Sequence, residues 1–288
     1  MINANTALFA IVGDPVSHSL SPLMHNRAFS DLDYNGVYLA FRVQDIGAAV
    51  SGIKALDIKG ASVTIPHKVS IIPFLDQLDE MAEKIEAVNT VINRKGVLIG
   101  SNTDWHGAVK ALSDETDLKE KNVALIGAGG AARAIGFGVK SEGGHVTVLN
   151  RSPVRGEKLA KDLDADFQPL SNFKNVKCHI LINTTPLGMT PRVDDIPINR
   201  EDLDASMIVM DIVYNPLRTR LLKEAAIVGC KTIDGVSMFV YQGAFQLEMW
   251  TGMKAPVEVM RRAVLKTLEE KDNFRYYDRD KTPKDKDR

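Results

Sequence analysis

Residues 123–135 read V-A-L-I-G-A-G-G-A-A-R-A-I. The first four are apolar without alternation, as in a strand buried on both faces. Gly127-x-Gly129-x-x-Ala132 follows and opens a helix of small residues. This is the dinucleotide fingerprint in its G-x-G-x-x-A form. Gly127 permits the tight turn and Gly129 lets backbone approach a pyrophosphate. Ala132 keeps helix and strand close, and the helix N-terminus faces the phosphates. A tight βα turn packed with small residues would read the same over those positions alone. The strand, the helix and the next strand, H-V-T-V-L-N (145–150), put the cofactor reading ahead.

That second strand is followed by N-R-S-P-V-R-G. An NAD enzyme usually carries Asp or Glu near here to bind the ribose 2′-hydroxyl. This chain has Asn150 instead, with Arg151 and Arg155 after it. A guanidinium matches a 2′-phosphate, which a carboxylate would repel. The pattern favours NADP; two solvated surface arginines are the plainer account.

Outward from this turn, strand-like and helix-like runs alternate along the whole chain, which predicts an α/β fold with largely parallel sheets. The series opened by residues 122–127 continues at 145–150, 179–185, 206–213 and 232–235. An earlier series lies at 7–13, 37–43, 61–66 and 87–93, with helical stretches around 21–30, 44–56 and 67–84. Two helices are expected near 238–250 and 256–269. From Glu269 to Arg288 charged residues dominate without apolar periodicity, and residues 270–288 read as a flexible solvated tail.

The bulk composition excludes several classes. The 288 residues are 44% hydrophobic and 25% charged, and the formal net charge is −1. No bulk charge draws the chain to nucleic acid or an anionic membrane. No apolar run approaches the ~18 residues of a membrane span, and the first ten residues do not read as a signal peptide. Cys178 and Cys230 form neither a disulfide framework nor a metal site, which points to a reducing cytoplasm. The histidines show no metal-ligand spacing. No G-x-S-x-G elbow or Cys–His nucleophile pair is evident.

Four polar clusters sit where the apolar pattern does not want them. The first is G-D-P-V-S-H-S-L-S-P-L-M-H-N (13–26), where Ser19 and Ser21 can donate to an anion such as a carboxylate. Ser21 before Pro22 is equally a good helix N-cap. The second is S-V-T-I-P-H-K (62–68), a strand with Ser62 and Thr64 on one face, stopped by Pro66 and followed by Lys68. The third is Asn89 in A-V-N-T-V-I-N, a buried amide that is costly unless hydrogen-bonded. The fourth is Asn102-Thr103-Asp104, where Asp104 alone would pass for an N-cap. Together they gather at the C-terminal ends of strands, where open α/β sheets bind ligands. Hydroxyls, an amide, a lysine and an aspartate suit a small polyhydroxylated acid.

These residues together resemble the shikimate dehydrogenase family. The motifs that carry the likeness are H-S-L-S-P-L-M-H-N, S-V-T-I-P-H-K, A-V-N-T-V, N-T-D-W-H-G, G-A-G-G-A-A-R-A, N-R-S, D-I-V-Y-N-P and D-G-V-S-M-F-V-Y-Q-G-A, and they reach to about residue 269. The resemblance implies reversible, NADP-dependent reduction of 3-dehydroshikimate to shikimate, on the route to aromatic amino acids, by a monomer or homodimer. It implies a substrate-binding and catalytic domain over residues 1–104 plus 239–269, and a Rossmann domain over 105–238. It implies that Lys68 and Asp104 are the catalytic pair, and that Ser19 and Ser21 hold the substrate carboxylate with Tyr214 nearby. Thr64, Asn89, Asp104 and Gln242 would meet substrate hydroxyls. Cofactor contacts are implied at Gly127, Ala128, Gly129, Gly130, Ala131, Asn150, Arg151, Ser152, Arg155, Thr184 and Ile212. Gly235 and Met238 would lie near the nicotinamide. The chain departs from many family members in having Ser62 where they have Asn, keeping a hydroxyl but losing an amide.

A lysine at the end of that strand suits ketone reduction. Hydride arriving at a carbonyl leaves an alkoxide that needs a proton and a nearby positive charge. Two alternatives stay open: a quinate/shikimate dehydrogenase using NAD or both cofactors, and a non-catalytic NADP-binding regulator on the same fold.

Overall fold

Ala7–Gly13 (β1) pairs in parallel with Gly36–Arg42 (β2) on one side and Gly60–Val63 (β3) on the other. These strands begin a six-stranded sheet in a computed structural model that describes residues 2–279. Ser21–Asp31 (α1) and Ile46–Ala55 (α2) are the crossovers, and Asp45 caps α2 by accepting from the Ala48 N–H. The sheet order is β2-β1-β3-β5-β6-β4, where β4 is Gln77–Leu78, β5 is Thr90–Arg94 and β6 is Val97–Ser101. β5 runs antiparallel to β3, and also to β6, to which a short turn at Lys95–Gly96 joins it as a hairpin.

The stretch 67–84 is not one helix. His67–Ser70 (α3) ends just before Pro73, β4 intervenes, and Asp79 then caps Glu80–Ile85 (α4) through the Ala82 N–H. β3 ends at Val63, and Ile65 is exposed, so the expected alternation does not run through Pro66.

Asp104–Ser113 (α5) leads into a second sheet of six parallel strands. They are Asn122–Ile126 (β7), His145–Asn150 (β8), Asp166–Pro169 (β9), Ile180–Asn183 (β10), Ile208–Asp211 (β11) and Lys231–Ile233 (β12). Their order, β12-β11-β10-β7-β8-β9, places the first strand centrally with the direction reversing between β7 and β10. This is the doubly wound arrangement, and its ligand crevice lies at that reversal. Gly130–Ser141 (α6), Pro153–Asp162 (α7) and Arg220–Val228 (α8) cover the sheet. Strand β9 was not expected, since D-F-Q-P is short and carries no apolar run.

Gly235–Thr251 (α9) leaves the second sheet and returns to the first, followed by Val257–Arg279 (α10). Val236, Val240, Ala244 and Leu247 pack with Phe9, Ile11 and Met24 of the first domain, together with Met260, Val264 and Leu268 of α10. The expected domain boundary at 238/239 therefore falls inside a continuous helix, with no linker. α10 continues through Arg279, where a flexible tail was expected from 270. Its charged residues include good helix formers, which extend a helix already anchored by packing. Residues 280–288 of that expected tail lie outside the described residues.

The two domains touch along α5 and α9. At Gly107 a Cβ would stand 2.7 Å from the Met238 carbonyl oxygen and 2.8 Å from the Gln242 nitrogen, so only glycine permits this approach. Ile85 and Ala87 of the first domain pack on Ala134 of α6, and Arg133 pairs with Glu86 at 3.4 Å and with Asp162.

Candidate active site

Lys68 is the second residue of α3, which follows β3 after the turn at Thr64–Pro66. The turn that delivers it is pinned twice: His67 is buried with its Nε2 2.7 Å from the Val43 carbonyl oxygen, and the Lys68 carbonyl accepts from the Val88 N–H at 2.8 Å. Asp104 opens α5 but does not cap it; its own N–H donates to Asn102 Oδ1 at 3.0 Å. Asn102 in turn donates to the Ala87 carbonyl at 2.9 Å. These anchors bring Lys68 Nζ within 2.6 Å of Asp104 Oδ2. The side chains retain 22% and 10% of their exposure, enough to meet a ligand while most of each is shielded from water. In such surroundings a charge-assisted bond is strong and directional.

Asn89 supplies the other half of the aspartate's environment. It is buried, and its Nδ2 donates to Asp104 Oδ1 at 2.8 Å. Its Oδ1 accepts from the Thr103 N–H and the Thr90 hydroxyl, both at 2.7 Å. The buried amide is thus fully engaged with protein. Thr64 is half-buried just past β3, its N–H donating to the Val12 carbonyl at 3.0 Å. Ser62 is buried, accepts from the Tyr38 hydroxyl at 2.6 Å and donates to Gln246 Oε1 at 2.8 Å.

Ser21 is the first residue of α1, while Leu20 occupies the cap position without a side-chain bond. Ser19 takes the cap-like role, its Oγ accepting from the Ser21 N–H at 3.2 Å, so the expectation that Ser21 is a plain N-cap does not hold. Tyr214 stacks on Phe239 with centroids 4.6 Å apart, and burial pushes its phenol above the usual value. Gln242 is almost buried on α9, donating to the Phe239 carbonyl at 2.8 Å, one helical turn from Asp104 across the Gly107 contact.

The glycine turn has the shape its sequence predicts. Gly127 has φ of +116°, and a Cβ there would strike Thr184 Oγ1 at 2.4 Å. Thr184 uses that room to donate to the Ile126 carbonyl at 2.6 Å. A Cβ on Gly129 or Gly130 would meet nothing within 4 Å, so the loop presents bare backbone at the N-terminus of α6. Ala128 and Ala131 are half-buried beside it, and Ala132 is buried against the sheet. An anionic pyrophosphate fits such a cradle.

At the end of β8, Asn150 donates to the Ser152 carbonyl at 2.9 Å. Asn150 and Arg151 line a cavity of about 440 Å³ with Ser171, Lys174 and Asn199. Arg155 is exposed on α7 and is not among its lining residues. Neither arginine makes an ion pair or hydrogen bond among the described residues. Ile212 is half-buried, and its carbonyl crowds Gly235, where a Cβ would stand 2.6 Å away. Met238 is buried in the core of the second domain with its carbonyl toward Gly107.

The chain matches, in order, the family profiles described as shikimate dehydrogenase substrate binding domain (residues 11–91), shikimate / quinate 5-dehydrogenase (108–213) and shikimate 5′-dehydrogenase C-terminal domain (235–265). It is 44% identical over 278 residues to the shikimate dehydrogenase (NADP(+)) of Methanocaldococcus jannaschii, covering 92% of this chain and 98% of that protein. The chain belongs to the shikimate dehydrogenase family. Among solved structures, a shikimate dehydrogenase in complex with NADP+ superposes with a TM-score of 0.90 at 42% identity, over 93% of this chain and 98% of that one. The enzyme from Thermus thermophilus, in complex with NADP(H) and shikimate, gives 0.85 at 33% identity over 91% and 99%.

Tyr38, Thr90 and Gln246, which are hydrogen-bonded around this site, and Lys174, which lines the cavity beside Arg151, were not singled out from the sequence. Gln246 is a polar residue one turn beyond Gln242 on a largely apolar helix, and that misplaced polarity was its only signal. Lys174 carried none, because a lone lysine after β9 reads as surface. Among the described residues there is no cluster of His, Cys, Asp or Glu that would hold a metal, and no helix is long and apolar enough to cross a membrane.

Proposed function

We propose that the chain interconverts 3-dehydroshikimate and shikimate with NADP as cofactor, and that Lys68 and Asp104 carry the proton chemistry. The observation that supports this most is the 2.6 Å contact between Lys68 Nζ and Asp104 Oδ2 at the strand ends facing the joint with the nucleotide domain. NADPH, when bound, supplies the hydride.

The chain's own residues do the rest. Ser19 and Ser21, at the N-terminus of α1, take the substrate carboxylate, with Tyr214 closing that end. Thr64, Asp104 and Gln242 meet the ring hydroxyls, and Asn89, whose amide is committed to protein, serves them through the Asp104 carboxylate it holds. Lys68 Nζ donates a proton to the oxygen of the reduced carbonyl and stabilises the charge that develops there. Asp104 Oδ2 accepts from Nζ and so aims it. In the oxidative direction Lys68, as the free amine, takes the same proton back.

Gly127–Ala131 and the α6 N-terminus hold the pyrophosphate. Arg151, with Asn150, Ser152 and Arg155, receives the ribose 2′-phosphate. Thr184, Ile212, Gly235 and Met238 line the nicotinamide end. Cys178 and Cys230 are free thiols, in keeping with a reducing cytoplasm.

Turnover of shikimate with NADP+ and with NAD+, followed by nicotinamide absorbance, tests the proposal. Rapid NADP+ reduction is expected. No turnover with either cofactor would leave an NADP-binding regulator as the reading.

A further inference from the structure

Gln246 lies on α9, only 1% exposed, with its amide wholly committed to buried partners. Its Oε1 accepts from Ser62 Oγ at 2.8 Å. Its Nε2 donates to the Asn89 carbonyl at 3.1 Å and to Thr90 Oγ1 at 2.9 Å. Beyond Ser62 stands the Tyr38 hydroxyl at 2.6 Å, and beyond Thr90 stands Asn89 Oδ1 at 2.7 Å. Tyr38, Ser62, Thr90 and Gln246 thus form a continuous string that ends on the residue holding Asp104.

The string has one direction. Ser62 spends its proton on Gln246, so it can only accept from Tyr38. Thr90 accepts from the Gln246 amide, so its own proton goes to Asn89 Oδ1. With Oδ1 held by Thr90 and by the Thr103 N–H, the Asn89 amide keeps its Nδ2 toward Asp104 Oδ1. The reversed amide would set an oxygen against the carboxylate. Serial hydrogen bonds polarise one another in a low dielectric, so each strengthens the next. Packing alone does not call for this arrangement: four buried polar side chains are costlier than apolar ones unless every group is satisfied.

We propose that Gln246 is a positioning residue for the proton-transfer pair: through Thr90 and Asn89 it fixes the Asp104 carboxylate and thereby the aim of Lys68 Nζ. The proposal rests on the reading of Lys68 and Asp104 as the catalytic pair. It also makes α9, which begins at the nucleotide-binding domain, a direct support of the substrate-side chemistry.

The test is steady-state kinetics on full-length Gln246→Leu, Thr90→Val and the double variant, with Lys68→Ala alongside. Gln246→Leu is expected to lower kcat about tenfold or more, while KM for NADP+ stays within about twofold. The double variant should be no slower than the slower single variant, because both break the same string. A folded Gln246→Leu with parental kcat overturns the proposal, as do losses that multiply in the double variant, which mark two independent packing defects. If Gln246→Leu does not fold, Thr90→Val decides: a lower kcat with unchanged cofactor KM supports the string, and parental kcat overturns it. Parental kcat in Lys68→Ala would instead remove the catalytic pair itself.

Discussion

Gly107 stands against the backbone of Gln242 so closely that a single methyl group would reach within 2.8 Å of its nitrogen. The contact locks α5, which begins with Asp104, to the helix that carries Gln242 and Gln246. Gly107→Ala is expected to push these helices apart. Overpacking of this kind costs about 1–3 kcal/mol, more than the gain of about 1 kcal/mol from replacing a helical glycine. Urea unfolding should show lower stability, and kcat should fall with it. Unchanged stability would mean that the joint yields freely.

Lys68→Ala is expected to lower kcat by about 10²–10⁴-fold, the usual range for a lost general acid–base group. KM for shikimate should change less, because a proton donor acts mainly in the transition state. A folded variant with near-parental kcat would assign the proton to another group.

Arg151→Ala is expected to lower kcat/KM for NADP+ by about 10–100-fold, from the loss of charge-assisted bonds of about 1.5–3 kcal/mol. NAD+ lacks the group that the guanidinium reads, so its kcat/KM should barely move. Added salt should erode the parental preference more than the variant's. Equal damage to both cofactors would make Arg151 a surface charge.

Two buried groups tilt stability against pH in opposite senses. His25 is wholly buried, stacked on Tyr38 with both ring nitrogens unpartnered, and burial lowers its pKa from 6.5 to about 3. The neighbouring Gln246 side chain offsets only part of that shift. Between those values the unfolded chain binds the proton and the folded chain does not, so stability is lost as pH falls from 6.5 toward 3. Asp211 is buried among Asn183, Thr219 and the Val213 N–H, and burial raises its pKa from 3.8 to about 6 despite those donors. Its contribution is present below 3.8 and lost as pH rises through about 6. Denaturant unfolding from pH 4 to 7 should therefore show Asp211→Asn gaining on the parent as pH rises, and His25→Leu gaining as pH falls. Differences that do not vary with pH would mean that neither group titrates inside the fold as described.

Much of this was legible in the chain because some chemistry is local. Gly127 had to be glycine for a turn that the neighbouring residues already announced, and Lys68 and Asp104 stood at strand ends where apolar patterning gave no reason for charge. The Ser21-Pro22 pair offered a helix cap as the alternative reading, whereas the cap position is Leu20, one residue earlier. The hydrogen-bond string was invisible for a different reason. Tyr38, Ser62, Thr90 and Gln246 come from four segments, and each alone is an ordinary tyrosine, serine, threonine or glutamine. Only the fold makes them buried neighbours. Strands β4 and β9 escaped notice because two- and four-residue edges carry too little pattern to register.

The return of α9 and α10 to the first sheet has a consequence for the order in which the protein takes shape during synthesis. The residues that cover Phe9, Ile11 and Met24 lie between Val236 and Leu268, so the first domain cannot close its core until nearly the whole chain has left the ribosome. The nucleotide-binding sheet, whose strands all lie between Asn122 and Ile233, has no such wait. The part of the molecule made first is thus the part finished last, and its early strands must stay soluble beside a neighbour that is already folded.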